Sequence, residues 1–320
     1  MPQFKLPEIL FTRAGNKLID SQLYYECIGN PSGEVIWICH ALTGSATIEE
    51  WWPSLFKNSG GFIDLSRHYV VCANCLGSCY GSSGPNSQEG IFPALTHRDI
   101  ADVFHLLKEH LQIEKIDILI GGSLGGQQAL EWSICFPKDM RHTVLIACNA
   151  WHSSWGIAWN ELQRKAIELG KREEGLSLAR QIAMLSYRSA SDFEQKTADS
   201  GGDPHTILSY LEHQGNKFVN RFSHESYCFL SHMMDQHDIR KGRDQTAENI
   251  LAGIAAAVLV IGISSDVLFP ITEQQWLAAA IPNASFTVID SRKGHDAFLL
   301  EGNFISKEIE KHCFQKQHLV

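Results

Sequence analysis

One segment, residues 116 to 132, constrains this chain more than any other. Ile116-Asp117-Ile118-Leu119-Ile120 is an apolar run of strand length. Gly121-Gly122-Ser123-Leu124-Gly125 follows it, and then Gly126-Gln127-Gln128-Ala129-Leu130-Glu131-Trp132, which is rich in helix formers. The pattern predicts a strand, a sharp turn and a helix, with a serine at the apex. A serine in that position has a strained backbone, and small residues two positions before and after it, Gly121 and Gly125, remove the collisions that bulkier neighbours would cause.

Chemistry follows from the placement. The start of a helix leaves backbone N–H groups without intrahelical partners, so the N–H of Leu124 points at any oxyanion formed when Ser123 attacks a carbonyl. The segment therefore reads as the nucleophile elbow of an α/β-hydrolase-type fold. A glycine-rich turn that binds phosphate has similar composition and is the competing reading of this stretch alone.

The remaining chain fits the first reading. Val35-Ile36-Trp37-Ile38-Cys39 is a continuous apolar run, as expected of a strand buried on both faces of a parallel sheet, and His40-Ala41-Leu42-Thr43-Gly44 follows it. In this fold the loop after that strand supplies the second oxyanion N–H, which assigns that role to Leu42. Further strands are expected at Tyr69–Ala73, Thr143–Cys148, Ala256–Ile263 and Ser285–Ile289. Thr96 and Asp99 form a capping pair ahead of a helix with Ile100, Val103, Phe104, Leu107 and Leu111 at helical spacing. Between about Ala150 and Asn249 strand-like runs disappear. Helix-prone stretches such as Asn160–Glu168 and Leu176–Leu185 replace them.

The expected architecture is thus α/β, a mostly parallel sheet flanked by helices with a helical lid insertion. The core occupies residues 1–149 and 250–320, and the lid 150–249.

A nucleophilic serine needs a base and an acid, which in this fold follow it in the order acid, then histidine. Asp266, in Ser264-Ser265-Asp266-Val267-Leu268-Phe269-Pro270, and His295, in Gly294-His295-Asp296, both lie just past strong strands. Asp290 also ends a strand, but precedes the histidine too closely to orient it.

Totals narrow the function further. A formal charge of −9 and a pI near 5.9 argue against nucleic acid or an anionic membrane as general partners. There is no run long enough for a membrane span and no signal-peptide core at the N-terminus, so a cytoplasmic protein is expected. Nine cysteines, mostly within apolar runs, read as reduced buried thiols. Cys72, Cys75 and Cys79 are closely spaced, but no second pair follows, and no metal is expected.

Together these motifs resemble the homoserine O-acetyltransferase family. The resemblance rests on His40–Gly44, Cys79–Pro85, Gly121–Gly126 with Ala129–Trp132, Ser265–Asp266 with Leu268–Pro270, and Gly294–Leu299. In the lid it rests on Gly175–Arg180, Ser186–Ser189 and Tyr210–Phe222. It covers essentially the whole chain. Three departures stand out: Leu124 stands where the family usually has methionine, and in the lid the segment between Glu168 and Gly175 is shorter and Phe222–Tyr227 differs from the usual acidic version of its motif.

The resemblance implies ping-pong acyl transfer through Ser123, with His295 as base and Asp266 orienting it. It implies no bound cofactor, with acetyl-CoA or another acyl-CoA as co-substrate, and L-homoserine as acceptor in methionine biosynthesis. It also implies that Arg180, Asp296 and Tyr187 bind the amino acid, a guanidinium suiting the α-carboxylate and a carboxylate the α-ammonium, and that the protein is a homodimer joined through its lids. Serine as acceptor, or succinyl-CoA as donor, is not separated from these by sequence. An esterase with the same three catalytic residues is the second alternative.

Overall fold

The computed structural model describes residues 2–86 and 91–314. Its strands are β1 (Gln3–Lys5), β2 (Ile9–Phe11), β3 (Lys17–Ile19), β4 (Gln22–Gly29), β5 (Glu34–Cys39), β6 (His68–Ala73), β7 (Ile116–Gly122), β8 (Met140–Ile146), β9 (Ala257–Ile263) and β10 (Ala284–Ile289). Eight of them form one sheet in the order β1-β4-β6-β5-β7-β8-β9-β10, and β2 pairs with β3 apart from it. The β1–β4 and β4–β6 pairings are antiparallel, and every pairing from β6 to β10 is parallel.

The apolar runs are unbroken because both faces of the sheet are covered. Trp37 and Cys39 pack on one face with Phe104, Leu119 and Trp132. Ile36 and Ile38 pack on the other with Ile118, Ile120, Val144 and Ile261. On the first face Trp37 meets Trp132 edge-on at 4.9 Å between ring centroids. The helix His97–His110 on this side begins with the capping box expected from sequence: Asp99 N–H donates to the Thr96 hydroxyl, and Thr96 N–H to the Asp99 carboxylate at 2.7 Å.

The chain runs outward from β5 in two directions, β6 on one side and β7 on the other, and loops at such a switch diverge to leave a crevice beyond the carboxyl ends of the strands. Register brings Cys39 of β5 beside Gly121 of β7. The loops carrying Leu42 and Ser123 therefore leave the sheet side by side.

Between β8 and β9 five helices of ten or more residues follow one another: Ser154–Leu169, Arg172–Tyr187, Ala190–Asp199, Thr206–Val219 and His224–Asp235. Ser153, Ser189 and Ser223 each accept a hydrogen bond from the N–H three residues on, capping three of them. The first two helices extend beyond the helix-prone stretches Asn160–Glu168 and Leu176–Leu185 expected from sequence, the first by six residues at its start that include Trp155, Ile157 and Trp159. A Cβ at Gly215 would lie 2.3 Å from Ser177 Oγ. Glycine there lets Thr206–Val219 approach Arg172–Tyr187 closely, and Phe218 and Arg180 come together as a result.

One strand differs from expectation at its ends. The run read as Thr143–Cys148 is Met140–Ile146, because pairing with β7 begins at Met140 opposite Ile116, while Ala147 turns out of the sheet at φ +48°.

Candidate active site

Ser123 lies between β7 and the helix Leu124–Cys135 with φ 58° and ψ −127°, a backbone conformation rare for a residue with a side chain. Its neighbours explain how that is tolerated. A Cβ at Gly121 would stand 2.1 Å from the Gly125 carbonyl oxygen, and one at Gly125 would stand 2.1 Å from that of Cys39. Glycine at both positions brings the elbow helix against the end of β5.

Asp266 and His295, from the loops after β9 and β10, meet at 2.7 Å between Oδ2 and Nδ1. The other oxygen of Asp266 accepts the backbone N–H groups of Leu268 and Phe269, each at 2.9 Å. A carboxylate held at both oxygens fixes the imidazole and keeps the proton on Nδ1. Nε2 of His295 is buried and has no hydrogen-bond partner among the described residues. Phe269 stacks on the imidazole at 5.2 Å, and Phe298 meets it edge-on at 5.4 Å. Asp290, the alternative acid, is exposed and accepts from Ser264 Oγ at 3.0 Å instead.

Ser123 and His295 both line a cavity of about 1040 Å³, together with Leu42, Arg180, Tyr187 and Asp296. Among the described residues the N–H of Leu42 has no partner. Leu124 is the first residue of its helix, so its N–H has no carbonyl within that helix to donate to. The swap of methionine for leucine at 124 leaves that backbone donor in place.

The lid supplies the opposite wall. Arg180 lays its guanidinium over the rings of Tyr187 and Phe218, at 5.3 and 5.2 Å, and forms no ion pair among the described residues. Tyr187 reaches the imidazole of His295 at 5.9 Å between rings. Burial pushes its phenol up from the ordinary value.

Asp296 is not an isolated carboxylate: Arg188 Nε lies 2.9 Å from its Oδ2. The same guanidinium reaches Asp192 at 3.1 Å, and Lys293 binds Asp192 at 2.7 Å. A Cβ at Gly294, which has φ +66°, would lie 2.7–2.8 Å from backbone atoms of Tyr187, Arg188 and Ser189. The end of the lid helix is thus pressed onto the histidine loop.

Two arginines of this region, one of which lines the cavity, carried no assigned role in the sequence. Arg188 stands inside the Ser186–Ser189 motif. Arg221 stands inside the Tyr210–Phe222 motif and donates to the Thr43 carbonyl at 2.8 Å and the Tyr80 hydroxyl at 3.0 Å. The motifs contained them, but a solvated arginine and a bridging one look identical in one dimension.

Among the described residues no group of three His, Cys, Asp or Glu side chains is placed to hold a metal ion. Cys72, Cys75 and Cys79 direct their sulfurs to three different backbone carbonyls, those of Ser45, Leu76 and Arg221. No described helix is long and apolar enough to cross a membrane.

Sheet, elbow and cap define an α/β-hydrolase-fold enzyme, and the family model described by that fold matches residues 34–302. A curated homoserine O-acetyltransferase from Cyclobacterium marinum is 41% identical over 320 residues, covering 93% of this chain and 91% of that protein. Another, from Trichormus variabilis, is 39% identical and covers 93% and 89%. The crystal structure of a homoserine O-acetyltransferase from Staphylococcus aureus superposes with a TM-score of 0.88 at 30% identity, over 100% of this chain and 96% of that one. Esterase E22 superposes with a TM-score of 0.86 at 20% identity, a likeness of fold alone. The chain belongs to the homoserine O-acetyltransferase family and is an acyltransferase.

Proposed function

We propose that this enzyme moves an acetyl group from acetyl-CoA to the hydroxyl of L-homoserine through an acyl-serine, a step in methionine biosynthesis. Ser123 Oγ attacks the thioester carbonyl and gives its proton to His295 Nε2. The oxyanion is held by the N–H groups of Leu42 and Leu124. The C–S bond breaks, and the departing sulfur takes the proton back from His295. The acceptor hydroxyl then attacks the acyl-serine with His295 as base, and the proton returns to Ser123 Oγ as the ester oxygen leaves.

The observation that carries this reading is the orphaned Nε2 of His295, buried in a cavity wall shared with Ser123. Acceptor choice is supported by the pairing of opposite charges nearby. Arg180, with no carboxylate of its own, suits the α-carboxylate, and Oδ1 of Asp296, the oxygen not engaged by Arg188, suits the α-ammonium. Tyr187 closes the pocket between them. No cofactor is needed for this chemistry; the acyl-CoA is a co-substrate.

All nine cysteines are free, which supports a reducing, cytoplasmic setting. Exposed Leu162, Leu169, Leu178, Leu185 and Leu208 on the lid helices support a homodimer joined there. A monomeric mass by light scattering at micromolar concentration would remove that part of the reading.

The test is intact-protein mass spectrometry after mixing with acetyl-CoA, with and without L-homoserine. The expected result is an acetyl adduct on the wild type, none on Ser123→Ala, and discharge by homoserine faster than by water. Equal discharge by water alone would favour an esterase. No adduct with acetyl-CoA but one with succinyl-CoA, or discharge only by L-serine, would reassign donor or acceptor.

A further inference from the structure

The peptide bond between Ala41 and Leu42 has its two ends in different employment. Its N–H, on a residue that lines the cavity, has no partner among the described residues and is the oxyanion donor of the reading above, on which this inference rests. Its carbonyl oxygen, on the other side of the same plane, accepts two hydrogen bonds: His40 Nδ1 lies 2.7 Å away, and Gly44 N–H donates at 2.9 Å.

The tautomer of His40 follows from its second nitrogen. Cys75 N–H donates to Nε2 at 2.8 Å, so Nε2 offers a lone pair and the ring proton sits on Nδ1, where it donates to Ala41. The ring is fully buried. Burial pushes its pKa down to about 4, which keeps it neutral and in this arrangement at working pH.

We infer that His40 is a positioning residue for the oxyanion hole, aiming and polarising the Leu42 N–H by donating to the carbonyl of the same peptide unit. A trans peptide is planar, with carbonyl and N–H pointing oppositely, so fixing the direction of one fixes the other. Donation to the carbonyl also strengthens the N–H as a donor, since hydrogen bonds in series polarise one another. The Cys75 amide anchors the ring to the segment that follows β6. Asn74, the residue before, adds a second brace by accepting the Ala46 N–H at 2.6 Å. The segment at the carboxyl end of β6 therefore braces the loop.

Two substitutions separate the two nitrogens. His40→Asn places an amide donor near the Nδ1 position and loses the acceptor for Cys75. His40→Gln places an acceptor near the Nε2 position and loses the donor to Ala41. Single-turnover acylation by p-nitrophenyl acetate reads acyl-serine formation without involving the amino-acid acceptor. His40→Gln is expected to acylate about ten- to a hundredfold more slowly, below the loss of 10²–10³ from deleting an oxyanion donor, with a near-native melting temperature. His40→Asn is expected to melt lower yet acylate within about threefold of wild type.

Activity that merely follows stability across the pair, or a His40→Gln enzyme acylating at the wild-type rate, overturns the inference. In wild-type protein labelled with ¹⁵N-histidine, the expected signal is the Nδ1–H tautomer of His40. An Nε2–H tautomer overturns the inference without recourse to a variant. A wild type that forms no acyl-serine with either this ester or acetyl-CoA overturns the Ser123 reading as well, so the two failures are distinguishable.

Discussion

Arg188 Nε stands 2.9 Å from Asp296 Oδ2, with both side chains about 13% exposed, so a residue at the end of the helix Arg172–Tyr187 and the neighbour of His295 share one charge contact. Arg188 also reaches the buried Asp192, which Lys293 of the histidine loop binds from the other side. Removing the guanidinium leaves Asp296, mostly out of water, without its cation, while Asp192 keeps Lys293 alone.

Arg188→Ala is therefore expected to lose about 2 kcal/mol of stability, less than for a fully buried pair because both side chains retain some solvent. It is also expected to raise KM for the amino-acid acceptor at least about tenfold. Arg188→Lys should recover part of both. Urea titration and steady-state kinetics check this. An unchanged acceptor KM in Arg188→Ala would confine Arg188 to holding the lid.

Asp266→Asn keeps an oxygen for the Leu268 and Phe269 N–H groups but presents an amide N–H₂ to His295 Nδ1. The imidazole must then carry its proton on Nε2, where it cannot act as base. A fall in kcat of roughly 10⁴ is expected with a near-native fold, as for serine-protease triads. A loss under tenfold would mean that another group orients His295.

Gly125→Ala pushes a methyl group to 2.1 Å from the Cys39 carbonyl, in a contact between two backbones that cannot rotate away. The expected cost is about 3 kcal/mol, a fall of roughly 5–10 °C in Tm. Differential scanning calorimetry measures it. A native melting temperature would show that the elbow helix shifts without penalty.

Acid should destabilise the fold before its carboxylates protonate. Burial pushes the pKa of His40 and His152 down to about 4, and that of His237 to about 3. Unfolded histidine titrates near 6.5. Above that value neither state is protonated and these groups contribute nothing to the pH dependence. Below it the unfolded chain gains protons that the native state refuses, so stability falls until the native pKa values are reached. Between about pH 5.5 and 4.5 each such histidine contributes a slope of about 1.4 kcal/mol per pH unit. Chemical denaturation at stepped pH tests the sign. Stability that stays flat from pH 6.5 to 4.5 would mean that these rings charge inside the fold.

Much of the fold was legible because its signals are local. An apolar run means a strand covered on both faces, the spacing around Thr96 writes a capping box, and the glycines at 121 and 125 prescribe an elbow whatever surrounds it. Chain order placed Asp266 and His295 after the serine, and the parallel topology carries both to the same end of the sheet. Their contact at 2.7 Å is what that topology makes of the order.

What one dimension did not carry was the choice of partner. Arg180 and Arg188 lie eight residues apart on and just beyond one helix, with nothing in composition to separate them. Packing leaves the first stacked on Tyr187 and Phe218 and ties the second to Asp296. The tautomer of His40 likewise depends on Cys75, thirty-five residues away. Backbone conformation and burial follow from neighbours along the chain, so the sequence alone determined the strands, the elbow and the order of the site. The pairing of charges and the aim of donors depend on which distant segments the closed fold brings within about 3 Å, and only the tertiary structure decided those.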